Sequence, residues 1–120
     1  MALILSVDDS PSIREMMAVI LKSAGHDIRT AEDGFAALDL AAQHTFDMFF
    51  IDVNMPKMSG ITLVKKLREI EKYSHTPMIM VTTEYAEYRK HAAKRSGATG
   101  WLEKPVTEER LLKAVNKLVS

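Results

Sequence analysis

Four short strand-like stretches, three of them apolar runs, each lead into residues that can do chemistry. Leu3–Val7 is followed by Asp8-Asp9, Met48–Ile51 by Asp52, Met78–Val81 by Thr82, and Thr99–Leu102 by Glu103-Lys104-Pro105. Carboxylates brought within a few ångströms repel, and some stay protonated unless a cation holds them. No histidine or cysteine stands beside these acids. An all-oxygen set with room for water favours Mg²⁺ over zinc or copper, and Mg²⁺ brings phosphate as its natural partner. An aspartate beside Mg²⁺ can act as a nucleophile towards phosphorus, giving an acyl phosphate. A lysine and a hydroxyl opposite it would hold the remaining phosphoryl oxygens. The spacing thus suggests phosphoryl transfer to a carboxylate, with Asp52 as the residue on which the others converge.

The elements that must position these groups can be read from the pattern. Apolar runs of four or five residues match strands buried on both faces, as in the middle of a parallel sheet. Ser10-Pro11 opens a helix, with an oxygen side chain at the cap and proline in the first turn. Ile13, Met16, Met17, Ile20, Leu21 and Ala24 share one face of it, and Gly25 ends it. Ile28 and Thr30 mark a short second strand, and Glu32-Asp33-Gly34 is turn chemistry. A second helix covers about Phe35 to Ala42, with Leu38 and Ala41 inward. A third begins at Gly60, with Leu63, Val64, Leu67 and Ile70 on one face. A fourth is predicted over about Tyr85 to Ser96, stopping at Gly97. Thr107 caps a fifth, whose first turn carries Glu108 and Glu109 and whose buried stripe is Leu111, Leu112, Val115, Leu118 and Val119.

Five strands alternating with five helices predict an α/β domain with helices on both faces of a parallel sheet. At this length the expected architecture is a flavodoxin-like doubly wound (βα)5 domain with strand order 2-1-3-4-5. Strands 1 and 3 are then neighbours at the switch point. Asp8, Asp9 and Asp52 would meet at the carboxyl edge of the sheet, with Thr82 and Lys104 facing the same crevice.

Composition narrows the function classes. The chain has 120 residues, enough for one domain with a real core. Lys plus Arg and Asp plus Glu are 16 each, which argues against a nucleic-acid binder needing a basic surplus. There is no cysteine, so neither disulfides nor thiolate metal sites are available. No apolar run reaches membrane-spanning length, and the N-terminus lacks the basic start of a signal peptide. A soluble, cytoplasmic, monomeric protein is expected. The eight methionines fall mostly at apolar periodic positions and read as core filler.

Each residue also has a plainer reading. Asp8-Asp9 can be a polar turn before a helix, Thr82 a strand residue or cap, Lys104 a solvated lysine, and Glu84 an acid in a helix's first turn. The basic run Arg89, Lys90, His91, Lys94 and Arg95 is by default a solvated helix face. Asp52 has no such excuse, because an ionised group ending a buried strand is costly unless paired.

Taken in order, Asp8-Asp9, Asp52, Asn54-Met55-Pro56, Gly60, Thr82 and Lys104-Pro105 resemble the full signature of response-regulator receiver domains. The match runs over essentially all of residues 1–120, as one receiver domain with no output domain, which among receivers resembles the CheY-like chemotaxis type. The resemblance implies a phosphorylation-dependent switch of a two-component system rather than an enzyme. Asp52 would take a phosphoryl group from a phosphohistidine of a CheA-like sensor histidine kinase. One Mg²⁺ would be held by Asp8, Asp9, Asp52 and the backbone carbonyl of Asn54, Asp8 acting mostly through a water. Lys104 would neutralise phosphoryl charge, Thr82 would move to bond a phosphoryl oxygen, and Trp101 would turn inward behind it. Lys104-Pro105 would be cis and belong to the switch. Asn54 and Glu84 would tune phosphate loss. The face made by the fourth helix, fifth strand and fifth helix would bind a flagellar motor switch protein, or a phosphotransfer protein in a phosphorelay. Trp101 stands where the family usually has tyrosine or phenylalanine, and Thr83 where many members have alanine.

Two other classes use related folds. Phosphatases of the haloacid-dehalogenase type also pair a strand-end aspartate with Mg²⁺, but they need a second aspartate two residues on, where this chain has Asn54. A flavodoxin-like electron carrier needs a Ser/Thr/Gly-rich phosphate loop after the first strand, where Asp8-Asp9 would repel a flavin phosphate.

Overall fold

The computed structural model describes residues 1–83, 95 and 97–119. It contains five strands: β1 (Leu3–Val7), β2 (Asp27–Ala31), β3 (Met48–Asp52), β4 (Met78–Thr82) and β5 (Gly100–Glu103). Among the described residues there are four α-helices: α1 (Pro11–Ser23), α2 (Gly34–Gln43), α3 (Gly60–Arg68) and a C-terminal helix (Glu108–Val119). A 3-10 turn at Glu71–Tyr73 follows α3. The fourth helix expected from the sequence, and Glu84 before it, lie outside the described residues.

All strands are parallel, in the order β2-β1-β3-β4-β5 expected of the flavodoxin-like topology. β3 is central and buried throughout. Alternation along it sends successive side chains to opposite faces. Phe49 and Ile51 pack with Leu63, Val64 and Leu67 of α3 and Ala37 and Ala41 of α2. Met48 and Phe50 pack with Met17 and Leu21 of α1 and Leu111 and Val115 of the C-terminal helix. Five of the eight methionines are in these two cores, at 0–7% exposure, as gap-filling side chains should be.

The helix starts follow local chemistry. Ser10 Oγ accepts the Ile13 amide at 3.4 Å at the start of α1, Asp33 Oδ1 the Ala36 amide at 2.8 Å at the start of α2, and Ser59 Oγ the Thr62 amide at 3.2 Å at the start of α3. Thr107 Oγ1 accepts the Arg110 amide at 3.2 Å before the C-terminal helix. Gly25 after α1 has φ of +92°, where a Cβ would be strained. The inward face of α2 carries the expected Leu38 and Ala41, with Ala37 beside them. Ala37 and Ala41 are fully buried and Leu38 only half-buried.

Candidate functional site

The parallel register decides where the acids meet. Val7 of β1 pairs with Ile51 of β3, so Asp8 emerges beside Asp52 at the carboxyl edge. Asp52 pairs in turn with Val81, which puts Thr82 one residue beyond it on β4. Asp8, Asp9 and Asp52 each offer a carboxylate oxygen, and these oxygens all lie within 4.8 Å of one another. Asp8 and Asp52 are buried, at 2% and 5% exposure, whereas Asp9 is exposed.

The two buried acids are not left unpaired. Lys104 reaches back from the end of β5, its Nζ 3.0 Å from Asp8 Oδ2 and 3.5 Å from Asp52 Oδ1. Asp8 Oδ1 accepts the Ser10 amide at 2.9 Å, and Asp52 Oδ1 accepts the Asn54 amide at 3.3 Å. The Lys104 amide donates to the Thr82 carbonyl at 2.8 Å, tying the ends of β4 and β5 together. Thr82 is buried. Trp101, in register with Met80, is half-buried against the core on the α2–α3 side of the sheet. Lys104-Pro105 is cis, and Pro105 is exposed.

Electrostatics follow from this crowding. Burial, with the charge of Asp8 adding to it, raises the Asp52 carboxyl from 3.8 to about 6, against the pull of Lys104 and the Asn54 amide. Burial works against the charge on Lys104, but the hydrogen bond and charge of Asp8, with Asp52, outweigh it and hold its pKa above the ordinary lysine value. A site with three carboxylates and one lysine retains an excess of negative charge. Its oxygen-only donor set suits a hard divalent cation, so the residues present fit Mg²⁺.

Gly60 backs this edge. A Cβ there would overlap the carbonyl oxygen of Asp52 and come within 2.9 Å of its carbonyl carbon and of Met80 Cε. The start of α3 can press on the end of β3 only because residue 60 has no side chain. The sequence pattern did not single out Arg14, whose Nη1 donates to the Asp8 carbonyl at 2.7 Å. Arginine at the third or fourth position of a helix carries no signal of reaching back into the preceding turn.

The profile of the response regulator receiver domain matches residues 4–116. The chain belongs to the response-regulator receiver family. Receiver domains are phosphoryl-accepting signalling switches, not classical enzymes. This receiver is similar to protein PilH of Pseudomonas aeruginosa, at 38% identity over 120 residues, covering 100% of this chain and 99% of PilH. It is 34% identical over 116 residues to chemotaxis protein CheY-3 of Vibrio cholerae, covering 96% of this chain and 89% of that protein. Among solved structures, the receiver fold superposes on chemotaxis protein CheY4 of Vibrio cholerae with a TM-score of 0.96 at 45% identity, covering 99% of both chains. No helix among the described residues is long and apolar enough to cross a membrane.

Proposed function

We propose that Asp52 is the phospho-acceptor of this receiver and that the donor is a phosphohistidine on a sensor histidine kinase. The observation that carries this is the Asp52 carboxylate at the end of the central strand, flanked by Asp8, Asp9 and Lys104. An ionised Asp52 oxygen attacks phosphorus and forms the acyl phosphate P–O bond. The P–N bond to the donor imidazole breaks, and its electron pair stays on the imidazole nitrogen, which then takes a proton. Asp8, Asp9, Asp52 and the Asn54 carbonyl would hold Mg²⁺, which when bound neutralises charge on the phosphoryl oxygens. Lys104 stabilises a phosphoryl oxygen from the opposite side, and Thr82 bonds another. Asn54 offers no carboxylic acid to activate water, so the acyl phosphate outlives a turnover intermediate. Trp101 and Pro105 relay the state of Thr82 and Lys104 to the β5 face.

Residues 1–120 act as a single receiver in the cytoplasm, as a monomer, on a partner in chemotaxis. The chemotaxis reading is supported by the similarity to CheY proteins over nearly their full length. The partner class is a flagellar motor switch protein; a histidine phosphotransfer protein is the alternative outcome of a pull-down with and without beryllofluoride.

The direct test is labelling with a radioactive small phosphodonor in Mg²⁺. Wild type should label once per chain, chelation of Mg²⁺ should abolish the signal, and Asp52→Asn should not label. Undiminished labelling of Asp52→Asn, or sustained hydrolysis of phosphate monoesters, would overturn the assignment.

A further inference from the structure

Asp9 is exposed, yet the carbonyls of the residues before and after it, Asp8 and Ser10, both accept from Arg14. The Arg14 amide donates to the Ser10 carbonyl at 3.1 Å, and Arg14 Nη1 donates to the Asp8 carbonyl at 2.7 Å. The first of these bonds is an ordinary opening rung of α1, which almost any residue would make. The second needs a long side chain with a donor at its end, reaching back six positions.

The Asp8 carbonyl has a particular need of it. β1 ends at Val7, so that carbonyl lies beyond the paired residues of both neighbouring strands. Asp8 is almost fully buried, and a buried acceptor without a donor is unfavourable. Every other polar group of Asp8 is already committed. Its amide goes to Ala31, Oδ1 to Ser10 and Oδ2 to Lys104. The arginine is therefore the group that fixes the plane of the Asp8–Asp9 peptide, and that plane directs Asp9.

We propose that Arg14 is a positioning residue for the acidic turn: by holding the Asp8 carbonyl, it orients Asp9 towards Asp8 and Asp52 and so sets the affinity for the divalent cation. This rests on the reading of the cluster as the Mg²⁺ and phosphoryl site. Partners that orient metal ligands commonly matter by 10–100-fold in affinity. The charge on Arg14 works in the other direction, because a guanidinium near the site repels a cation. Positioning and electrostatics thus predict opposite signs for loss of the side chain, and simple packing predicts no change.

The test is calorimetric titration of Mg²⁺ into wild type, Arg14→Met and Arg14→Lys, with urea unfolding in metal-free buffer to confirm that each variant is folded. Arg14→Met is expected to bind Mg²⁺ roughly tenfold more weakly. Arg14→Lys, which keeps the charge on a shorter stem without the planar fork, is expected to fall between it and wild type. The Ser10 amide should exchange with deuterium faster in metal-free Arg14→Met than in wild type, because its acceptor Asp8 is no longer held. Unchanged or tighter Mg²⁺ binding by folded Arg14→Met overturns the proposal. If wild type binds no Mg²⁺, the site reading fails instead, and an unchanged Ser10 exchange rate in Arg14→Met still overturns the clamp.

Discussion

Lys104 lies nearer to Asp8 than to Asp52, 3.0 Å against 3.5 Å. The ammonium is thus held between two buried carboxylates, with its closer contact on Asp8. With Asp52 as the proposed phospho-acceptor, only a change of partner, not a long movement, is needed for Lys104 to meet a phosphoryl oxygen there.

Removing that ammonium leaves the acids facing each other. Lys104→Met should destabilise the metal-free protein by about 3 kcal/mol, the low end of the cost of breaking a buried pair, because the lysine side chain keeps 15% exposure. Mg²⁺ should then restore more stability to the variant than to wild type, since it replaces the missing positive charge. Urea unfolding with and without the ion checks this; equal midpoints for the two metal-free proteins would refute it.

The raised Asp52 carboxyl predicts a pH dependence of stability. Its folded value of about 6 lies above the unfolded 3.8, so between these values the native state binds more protons than the unfolded chain. Unfolding free energy therefore falls as pH rises through that window. The contribution is intact below about pH 4 and lost above about pH 6, and two pKa units correspond to roughly 3 kcal/mol. Metal-free Asp52→Asn should accordingly be more stable than wild type at neutral pH, with the advantage fading as pH falls towards 4. Parallel stability curves for the two proteins would show that Asp52 does not carry the strain.

Gly60 offers a test of the scaffold behind the acceptor. In Gly60→Ala the new methyl meets the Asp52 peptide, which is pinned by the pairing of β3 with β4 and by the Gly60 amide bond to the Val53 carbonyl at 2.8 Å. Overpacking of this kind costs about 1–3 kcal/mol, and phosphoryl uptake should slow because Asp52 is displaced. Gly100→Ala is the control, since among the described residues its methyl meets only Ile79 Cδ1, at an ordinary 3.5 Å. Thermal unfolding and labelling rates of the two variants should diverge; similar behaviour would mean that the β3 edge yields without cost.

Trp101 is the sole tryptophan and stands three residues before Lys104 on β5. Its half-buried ring packs on the core at Met80's level. Its emission should shift in wavelength or intensity when Mg²⁺ and beryllofluoride are added together, and not with beryllofluoride alone. A flat response would mean that occupancy at Asp52 does not reach β5.

Much of this molecule is legible without coordinates. Runs such as Leu3–Val7 and Met48–Ile51, caps such as Ser10-Pro11, and the α/β alternation depend on near neighbours, and local propensity and periodicity report near neighbours directly. Ala37, fully buried on α2 beside the expected Ala41 and Leu38, was not singled out, because full burial of a small residue is decided by what packs on it. The 3-10 turn at Glu71–Tyr73 was missed for a similar reason. It is held from outside by Arg68, whose Nη1 donates to the carbonyls of Tyr73 and Thr76 and whose Nε donates to that of Gly97. Nothing in helical spacing marks an arginine for that task.

The sequence by itself determined which residues stand at strand ends, and hence that Asp8, Asp9, Asp52, Thr82 and Lys104 would share one edge of a parallel sheet. That follows from composition and order along the chain. Only the tertiary structure decided how the edge is balanced: that Lys104 favours Asp8, that Gly60 presses on the Asp52 peptide, and that Arg14 holds the turn bearing Asp9. Those relations join atoms brought together by sheet register and helix packing, where differences of half an ångström decide which partner a charge takes. No local pattern in the chain records such distances.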